Sequence, residues 1–347
     1  MKKFWFKFVT LLIMLIAFSC DEPVTVVTNI VHPDGSVTRK IDMRNTKNTF
    51  EKSVLQVPFD DTWMVTDTCE VGKRGDTTWI KRAEKLFRNI DEINATYIND
   101  SSSNAKFPRN ASFIRKFRWF NTSYRFSETV ERRISGGYPL RNFLNDSELY
   151  YFYAPEDLKY SKLHGPDSLI YKALADTIDK KNLDWAVKNF AALWAAEFAK
   201  LAAGKASPEL SAKLPKTLEA RFSKVLNENM EKFDSLWSAG VLPEKILGEQ
   251  DARKFKTEGD SAFTLATDIL LIDYKNYSER IVMPGKLTRT NGYIDSTGRL
   301  MWPVNADLFF TDQYEMWAES KTPNIWAWIV SGLFLVFVAS GIILKKM

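Results

Sequence analysis

Residues 24–43 have the sequence VTVVTNIVHPDGSVTRKIDM, and this stretch indicates that the chain contains β-structure. Two β-branched runs, Val24 to Ile30 and Val37 to Met43, flank the segment His32-Pro33-Asp34-Gly35-Ser36. Pro, Asp and Gly supply the fixed and positive φ angles that a tight turn needs, so the stretch predicts a β-hairpin. His32 belongs to the turn, and we interpret it as a turn residue and not as a ligand.

Helix formers replace this β pattern in the middle of the chain. Broad apolar stripes at helical spacing run from Asn182 to Ala203 and from Ser207 towards Trp237. Pro243 to Lys256 predicts a third helix. Together these segments indicate a helical module over residues 155–259.

Three shorter segments connect these parts. Asp76-Thr77-Thr78 precedes Trp79, Ala83 and Phe87 at helical spacing, which predicts a short amphipathic helix with a basic outer face. Asn94 to Asn110 is rich in Ser, Asn and Asp and predicts a loop. Thr267 to Val282 predicts a return to strand structure.

The expected fold class is α+β. It comprises a mixed or antiparallel sheet with a packed helix, an inserted helical module and one carboxyl-terminal transmembrane helix. Residues 20–154 would form the amino-terminal β-rich part of an external domain, and residues 260–322 would complete that domain after the helical module.

The carboxyl-terminal residues predict the membrane helix. No charge occurs from Ile325 to Leu344, and Lys345 and Lys346 follow directly. Twenty residues at 1.5 Å each span a hydrocarbon core of roughly 30 Å, and lysines at one end mark that end as cytoplasmic. Trp326 and Trp328 stand at the other end, where indole rings favour the headgroup layer. The sequence therefore predicts one transmembrane helix over 325–344.

The amino terminus predicts an export signal. Lysines at positions 2, 3 and 7 precede an apolar run that ends in Ala17-Phe18-Ser19-Cys20, which is typical of a signal peptide over residues 1–19. Ser19-Cys20 resembles the lipobox of bacterial lipoproteins, which implies that Cys20 carries lipid. An ordinary signal-peptidase site at the same place is the alternative.

These two ends together predict a location. We expect a single-pass protein of the bacterial cytoplasmic (inner) membrane, with the folded domain on the periplasmic or extracytoplasmic side and the carboxyl terminus in the cytoplasm. Cys20 and Cys69 are the only cysteines. No internal disulfide is therefore expected if Cys20 carries lipid, and Cys69 is expected to be a small buried hydrophobe.

Basic residues are concentrated in one part of the chain. From Lys73 to Arg141 there are fifteen Lys and Arg against seven acids, which gives the segment a charge of +8. A basic field beside a membrane attracts anionic headgroups, nucleic acid or polyanionic glycans. A solvated surface with mixed ion pairs is the alternative. Nucleic acid is not expected as the partner of an exported, membrane-tethered protein.

Within this basic segment, residues 113–130 mix aromatic and basic side chains. Strand alternation would place Arg118, Phe120 and Tyr124 on one face and Trp119 and Arg125 on the other. Such a face can bind a ligand by stacking and by charge, whereas a strand of the hydrophobic core is the alternative. The candidate ligand-binding residues are Arg115, Lys116, Arg118, Trp119, Tyr124 and Arg125.

Residues 283–304 contain turn motifs between short strands. They combine a Pro284-Gly285 step, Asn291-Gly292, Ser296-Thr297-Gly298 and a strand that carries Trp302. This pattern resembles the LppM-like family of membrane-tethered bacterial lipoproteins, which also begin with a lipobox and end with one helix. The resemblance covers about fifty residues, the early hairpin and the topology. It implies a mixed sheet facing the membrane surface and lipid or glycolipid handling, with no catalytic motif to transfer.

The sequence offers little enzyme chemistry. With only His32 and His164, it has no His-based triad or zinc motif, and Ser135-Gly136-Gly137 lacks the Lys and Ser/Thr of a phosphate-binding loop. No catalytic residue, metal or cofactor is predicted.

Three functions remain open. The first is a non-catalytic envelope lipoprotein whose external domain binds lipid headgroups, a glycolipid or another anionic envelope component. The second is a structural or assembly subunit that docks on a membrane protein partner, for which Ser331, Gly332, Ser340 and Gly341 offer small helix surfaces. The third is a hydrolase that uses a pair of carboxylates.

Overall fold

The computed structural model describes residues 23–50, 57, 59–73, 75–100, 104–203, 205, 208–229, 232–270, 272, 274–295 and 297–346. The predicted signal peptide and Cys20 lie outside these residues. The chain divides into two compact units. The sheet unit comprises Pro23–Glu131, Lys275–Asn305 and Gln313–Met347, and the helical unit comprises Arg132–Tyr274 and Ala306–Asp312.

The architecture is α+β, as the sequence predicts. The strands are β1 Val24–Val31, β2 Val37–Asn45, β3 Met64–Val71, β4 Thr77–Phe87, β5 Arg109–Arg118, β6 Asn121–Val130, β7 Tyr277–Val282, β8 Lys286–Thr290, β9 Tyr293–Ile294, β10 Leu300–Val304 and β11 Tyr314–Pro323. Sheet A has the order β3-β4-β2-β1-β7-β10-β9, and sheet B has the order β5-β6-β11-β8. Sheet A is mixed because β1 and β7 are parallel, whereas the pairs of sheet B are antiparallel.

The predicted hairpin is confirmed. β1 pairs with β2 from Val24 opposite Arg44 to Val31 opposite Val37, and Gly35 in the turn has a φ of 95°. His32 lies in this turn, where its Nε2 is 2.9 Å from Oγ1 of Thr38.

The buried faces of the two sheets form the core of the sheet unit. Alternate side chains of β1 and β2 are buried, as are alternate side chains of β6 and β11. A hydrogen bond from the guanidinium of Arg39 in sheet A to the carboxylate of Glu128 in sheet B joins the two faces. The largest of these core side chains include Ile41, Met43, Phe87 and Phe126, all fully buried.

Three expectations for shorter segments are wrong. Residues 77–87 form strand β4 and not a helix, because this segment pairs with β2 on one side and β3 on the other. Residues 94–98, where a loop was expected, belong to helix α1, Ile90–Ile98. Asn89 caps α1 by accepting a hydrogen bond from the backbone N–H of Glu92 at 3.1 Å. Residues 256–270 are helical, and strand structure begins only at Tyr277.

Cys69 is exposed, contrary to the expectation of a buried side chain. It lies on β3, an edge strand of sheet A whose positions are all exposed. No second sheet or helix covers that strand among the described residues, so the residue type alone does not determine its burial.

The helical unit contains the predicted helices and several more. Its helices are α2 Asp146–Phe152, α3 Glu156–Leu163, α4 Ser168–Ala202, α5 Pro208–Asn229, α6 Phe233–Ser238, α7 Val241–Leu247, α8 Glu249–Lys254 and α9 Lys256–Leu270. Trp194 of α4 is its central side chain, with ring centroids 4.7 Å from Phe222 and 5.1 Å from Phe198. The expected single helix over 243–256 is interrupted at Gly248, which has a φ of 87°.

Strand β11 leads directly into helix α10, Ile325–Lys346. Asn324 connects them, and its backbone carbonyl accepts from the N–H of Ala327 at 2.9 Å. α10 is long and apolar enough to cross a membrane, and only 6% of its most apolar stretch is buried. This position of α10 makes sheet B the part of the sheet unit that continues into the candidate span.

Candidate functional site

One face of sheet B is open to solvent, and a shallow groove crosses it. Along β6 the side chains of Tyr124 and Phe126 are buried, whereas those of Ser123 and Arg125 lie on the other, partly exposed face. The groove on that second face has a volume of about 320 Å³. Its lining residues are Ile114, Lys116, Arg118, Asn121, Ser123, Tyr124, Arg125, Thr288, Glu319, Ser320 and Lys321.

Strand pairing brings three lysines into one row across this face. Lys116 of β5 is opposite Ser123 of β6, Ser123 is opposite Lys321 of β11, and Lys321 is opposite Lys286 of β8. We call these four residues the lysine row. Neighbouring strands lie about 4.8 Å apart, so Lys321 and Lys286 place two like charges side by side on the sheet, which is mildly destabilising.

The lysines of the row have no ion-pair partner among the described residues. Arg118, one sheet position nearer to α10, also has none in that part of the chain and is exposed. A group of unpaired cations on one face attracts anions and loses little by binding them, because no existing ion pair must break.

Arg125 differs from these cations because it is already neutralised. Its guanidinium donates to Glu319 at 3.0 Å and to Glu315 at 3.1 Å, and it lies 4.5 Å from the ring centroid of Trp317. Partial desolvation lowers the pKa of Arg125, but its hydrogen bonds to the two carboxylates outweigh this and raise the pKa. Arg125 therefore lines the groove without contributing an unpaired charge. Glu319 is the one acid among the lining residues.

The predicted site residues do not all lie together. Lys116, Arg118 and Arg125 share the groove face, whereas Arg115 lies on the opposite face, in register with Tyr124. Tyr124 is 4% exposed, stacks on Phe113 and bonds to Thr322 at 3.1 Å, so its ring is part of the core.

The predicted alternation over residues 113–130 holds within β5 and within β6 but does not continue from one strand to the other. The chain turns at Trp119 and Phe120 between β5 and β6. Arg118 consequently lies on the same face as Asn121, to which it is paired, and not on the face of Tyr124 as expected. Tyr124 and Phe126 of the aromatic segment fill the core, whereas Trp119 and Phe120 are exposed, and ligand binding by this segment stays a prediction.

The turn of the β5–β6 hairpin contacts the beginning of α10. Trp119 Nε1 donates to Ser331 Oγ at 2.9 Å, and Trp328 Nε1 donates to the carbonyl of Phe120 at 3.2 Å. The side-chain amide of Asn324 donates to the carbonyl of Arg118 at 2.6 Å. We call this set of contacts the hairpin–helix joint.

Aromatic rings complete the joint. Trp326 of α10 stacks on Phe117 at 6.3 Å and meets Trp119 edge-on at 5.1 Å, and Trp328 lies 4.3 Å from Phe120. Indole rings, such as those of Trp119, Trp326 and Trp328, favour the headgroup layer of a bilayer. The groove is therefore fixed next to the candidate membrane span.

Sequence reasoning missed three parts of this site. Lys321 and Lys286 belong to distant strands, and pairing in sheet B places Lys321 in the lining of the groove and Lys286 directly opposite Lys321. Asn324 links β11 to α10 and bonds to Arg118 and Thr122 of the hairpin. Its position directly before the apolar run was the one sequence feature that could have indicated this role.

A second group of charged residues is buried between the sheets. The Asn29 amide donates to Glu128 and to Glu279, and Arg39 donates to Glu128 and, at 2.7 Å, to Asn29. Tyr97 donates to Glu128 at 2.7 Å. We call these five residues the buried cluster.

Burial has strong effects on the ionisation of the buried cluster. Desolvation raises the pKa of Glu279 well above 4.5, and the neighbouring Glu128 raises it further. Desolvation lowers the pKa of Arg39, but its interactions with Glu128, Tyr97 and Glu279 together outweigh this, so the pKa is raised. Glu128 and Glu279 are 3% and 1% exposed, so both carboxyl groups are buried in the core. This burial does not favour their use by a hydrolase.

Metal ligands are not grouped in the described ranges, where no set of three or more His, Cys, Asp or Glu side chains could hold a metal ion. No family model, no curated protein and no solved structure matches the chain. The resemblance to the LppM-like family remains a prediction from residues 283–304.

Proposed function

We propose that the chain is a non-catalytic, membrane-anchored envelope protein whose sheet B binds the phosphate of anionic lipid headgroups in the groove. The observation that carries this proposal is the position of the lysine row. Lys321 is four residues from Ile325, at most about 14 Å of chain from the first residue of α10. The row therefore lies near the depth of the headgroups if α10 spans a bilayer.

The location is part of the proposal. Lys345 and Lys346 at the end of α10 favour a cytoplasmic carboxyl terminus, with the two units on the periplasmic or extracytoplasmic side of the bacterial cytoplasmic membrane. Lipid on Cys20 would attach the amino-terminal end to the same membrane. Lipid handling by the LppM-like family, to which the sequence shows a resemblance, is compatible with this proposal.

The charge distribution supports a phosphate ligand over an apolar one. Lys116, Lys286 and Lys321 are compact ammonium groups, and each cation near an anionic surface contributes about 1 kcal/mol to binding. Sheet A provides a contrast, because Lys40, Lys81 and Arg82 in that sheet pair with acids of neighbouring strands.

The test uses the full chain in a neutral detergent. Binding of dioctanoyl phosphatidylglycerol, dioctanoyl phosphatidylcholine and inorganic phosphate is measured by thermophoresis for the wild type and for Lys116→Gln/Lys286→Gln/Lys321→Gln. We expect the wild type to bind the glycerol lipid and not the choline lipid. We also expect the triple variant to bind it roughly a hundredfold more weakly.

A matched control removes the same charge elsewhere. The variant Lys40→Gln/Lys81→Gln/Lys159→Gln loses three lysines that form ion pairs outside the groove. Equal weakening in both variants would show that net charge and not the groove governs binding. Tight binding of inorganic phosphate alone would make free phosphate, and not lipid, the ligand.

A further inference from the structure

The tip of the β5–β6 hairpin exposes three large apolar side chains close together in sequence. Phe117, Trp119 and Phe120 are 57%, 47% and 41% exposed. Large apolar side chains that cluster on a surface mark a contact with a partner or a membrane. Here the cluster is continuous with the exposed apolar surface of α10.

The hairpin–helix joint fixes the depth of this tip. Ser331 accepts the hydrogen bond from Trp119 and follows Ile325 by six residues. At a rise of 1.5 Å per residue, the Trp119 indole lies about 9 Å along α10 from its first residue. A bilayer that covers α10 from its first turn must therefore also cover the tip.

The chemistry of the tip suits the boundary between headgroups and acyl chains. Trp119 satisfies its indole N–H through Ser331, and the carbonyl of Phe120 is satisfied by Trp328. The carbonyl of Arg118 accepts from Asn324. These groups of the turn are therefore already hydrogen-bonded when the tip enters a membrane. Without such partners, each group would cost several kcal/mol there.

We propose that residues 117–120 form a second membrane-contacting element, which enters the bilayer interface beside the first two turns of α10 and holds the groove at headgroup level. This inference rests on the membrane location in the proposed function. It does not depend on the charge of the lipid, because aromatic side chains and not lysines make the contact.

The experiment uses lipid photocrosslinking of the full chain in nanodiscs of phosphatidylcholine alone. The photoreactive residue p-benzoylphenylalanine replaces Phe120 in one variant and Phe117 in a second, so that a failure to fold at one position does not decide the result. Leu333 of α10 and Leu86 of β4 are replaced in the two controls, and both are similarly exposed large apolar residues. Covalent lipid adducts are counted by mass spectrometry.

We expect adducts at positions 117, 120 and 333 and at least tenfold fewer at position 86. Adducts at 333 without adducts at 117 and 120 would overturn the tip insertion and leave the groove proposal intact. No adducts at 333 would overturn the membrane location and both proposals with it. Equal adducts at 86 would show that lipid contact is not specific to the tip.

Discussion

The buried cluster and the lysine row belong to the same unit and both contain basic side chains, but within the part of the chain that the structure describes only the buried cluster pairs its basic side chain with a carboxylate. Arg39, at 1% exposure, has the Glu128 carboxylate, the Asn29 amide and the Tyr97 ring around it. In the lysine row, Lys116, Lys286 and Lys321 have no carboxylate partner among the described residues.

This difference follows from the cost of desolvation. A charge taken out of water must find partners inside the protein, whereas an exposed ammonium group is already solvated and can remain unpaired. Internal pairing gives the buried cluster a role in stability. The absence of pairing leaves the lysine row free to bind an anion from outside.

Removal of Arg39 should produce the largest effect on stability. Arg39→Met keeps much of the side-chain volume but leaves the buried Glu128 without its ion-pair partner. We expect a loss of about 3–5 kcal/mol in the free energy of unfolding, measured by urea denaturation of the full chain in detergent micelles.

The control is Arg82→Met on the exposed face of sheet A. Arg82 pairs with Asp42 at 2.9 Å, and both side chains are at least 40% exposed. We expect a loss below about 1 kcal/mol for this pair. Similar losses for Arg39→Met and Arg82→Met would remove the distinction between buried and exposed charges on which the comparison depends.

Glu279 should make the stability of the sheet unit depend on pH. Its raised pKa means that the folded state keeps a proton that the unfolded state loses above about pH 4.5. The stabilisation is fully present below that pH and is lost as the pH rises towards the folded pKa. The expected loss is about 1.4 kcal/mol for each unit that separates the two pKa values.

The measurement compares the wild type with Glu279→Gln from pH 4.5 to 8. The glutamine resembles the protonated carboxyl, so the free energy of unfolding should fall less with pH in this variant. Glu84→Gln, which removes an exposed carboxylate paired with Lys40, should leave the slope unchanged. Parallel slopes for Glu279→Gln and the wild type would show that Glu279 ionises normally in the fold.

The sequence predicts local structure well where one signal dominates. The hairpin over 24–43 follows from β-branched runs and a Pro-Asp-Gly turn, and α10 follows from twenty uncharged residues. β4 was misinterpreted because Trp79, Ala83 and Phe87 satisfy a spacing of four and also a spacing of two. Only pairing with β2 and β3 decides between these periods.

The candidate site was only half visible in the sequence. Lys116 and Arg118 stand out in a basic, aromatic segment, whereas Lys286 and Lys321 lie far from it in sequence. The register of β5, β6, β11 and β8 brings them together, and this register depends on tertiary pairing that one sequence does not contain. The turn at Trp119 and Phe120 was missed because neither residue is a turn former.

Added salt should weaken lipid binding at the lysine row but should have little effect on the stability that the buried cluster provides. Ions screen exposed charges beyond about 10 Å at 0.1 M and about 3 Å at 1 M, whereas buried pairs are screened much less. We expect phosphatidylglycerol binding to weaken about tenfold between 0.05 M and 0.5 M NaCl, measured by thermophoresis. The urea midpoint should change little over the same range. Salt-insensitive lipid binding would exclude the lysine row as its main source.

Substitution of Glu319 should produce the smallest change in lipid affinity, and this change should be a gain where the lysine substitutions cause a loss. Glu319 is the one acid among the groove-lining residues, and its carboxylate is shared with Arg125 at 3.0 Å. Glu319→Gln keeps the shape of the side chain and removes the negative charge, so the groove becomes more positive and Arg125 is partly released. We expect phosphatidylglycerol to bind up to fivefold more tightly, which corresponds to at most about 1 kcal/mol.

A misfolded variant can lose affinity but does not gain it, so this variant tests the sign of the groove's charge directly. Glu84→Gln, with the same loss of charge on sheet A, should leave the affinity unchanged. Weaker binding by Glu319→Gln with an unchanged urea midpoint would mean that the ligand needs the carboxylate, and the groove would then not be a phosphate site.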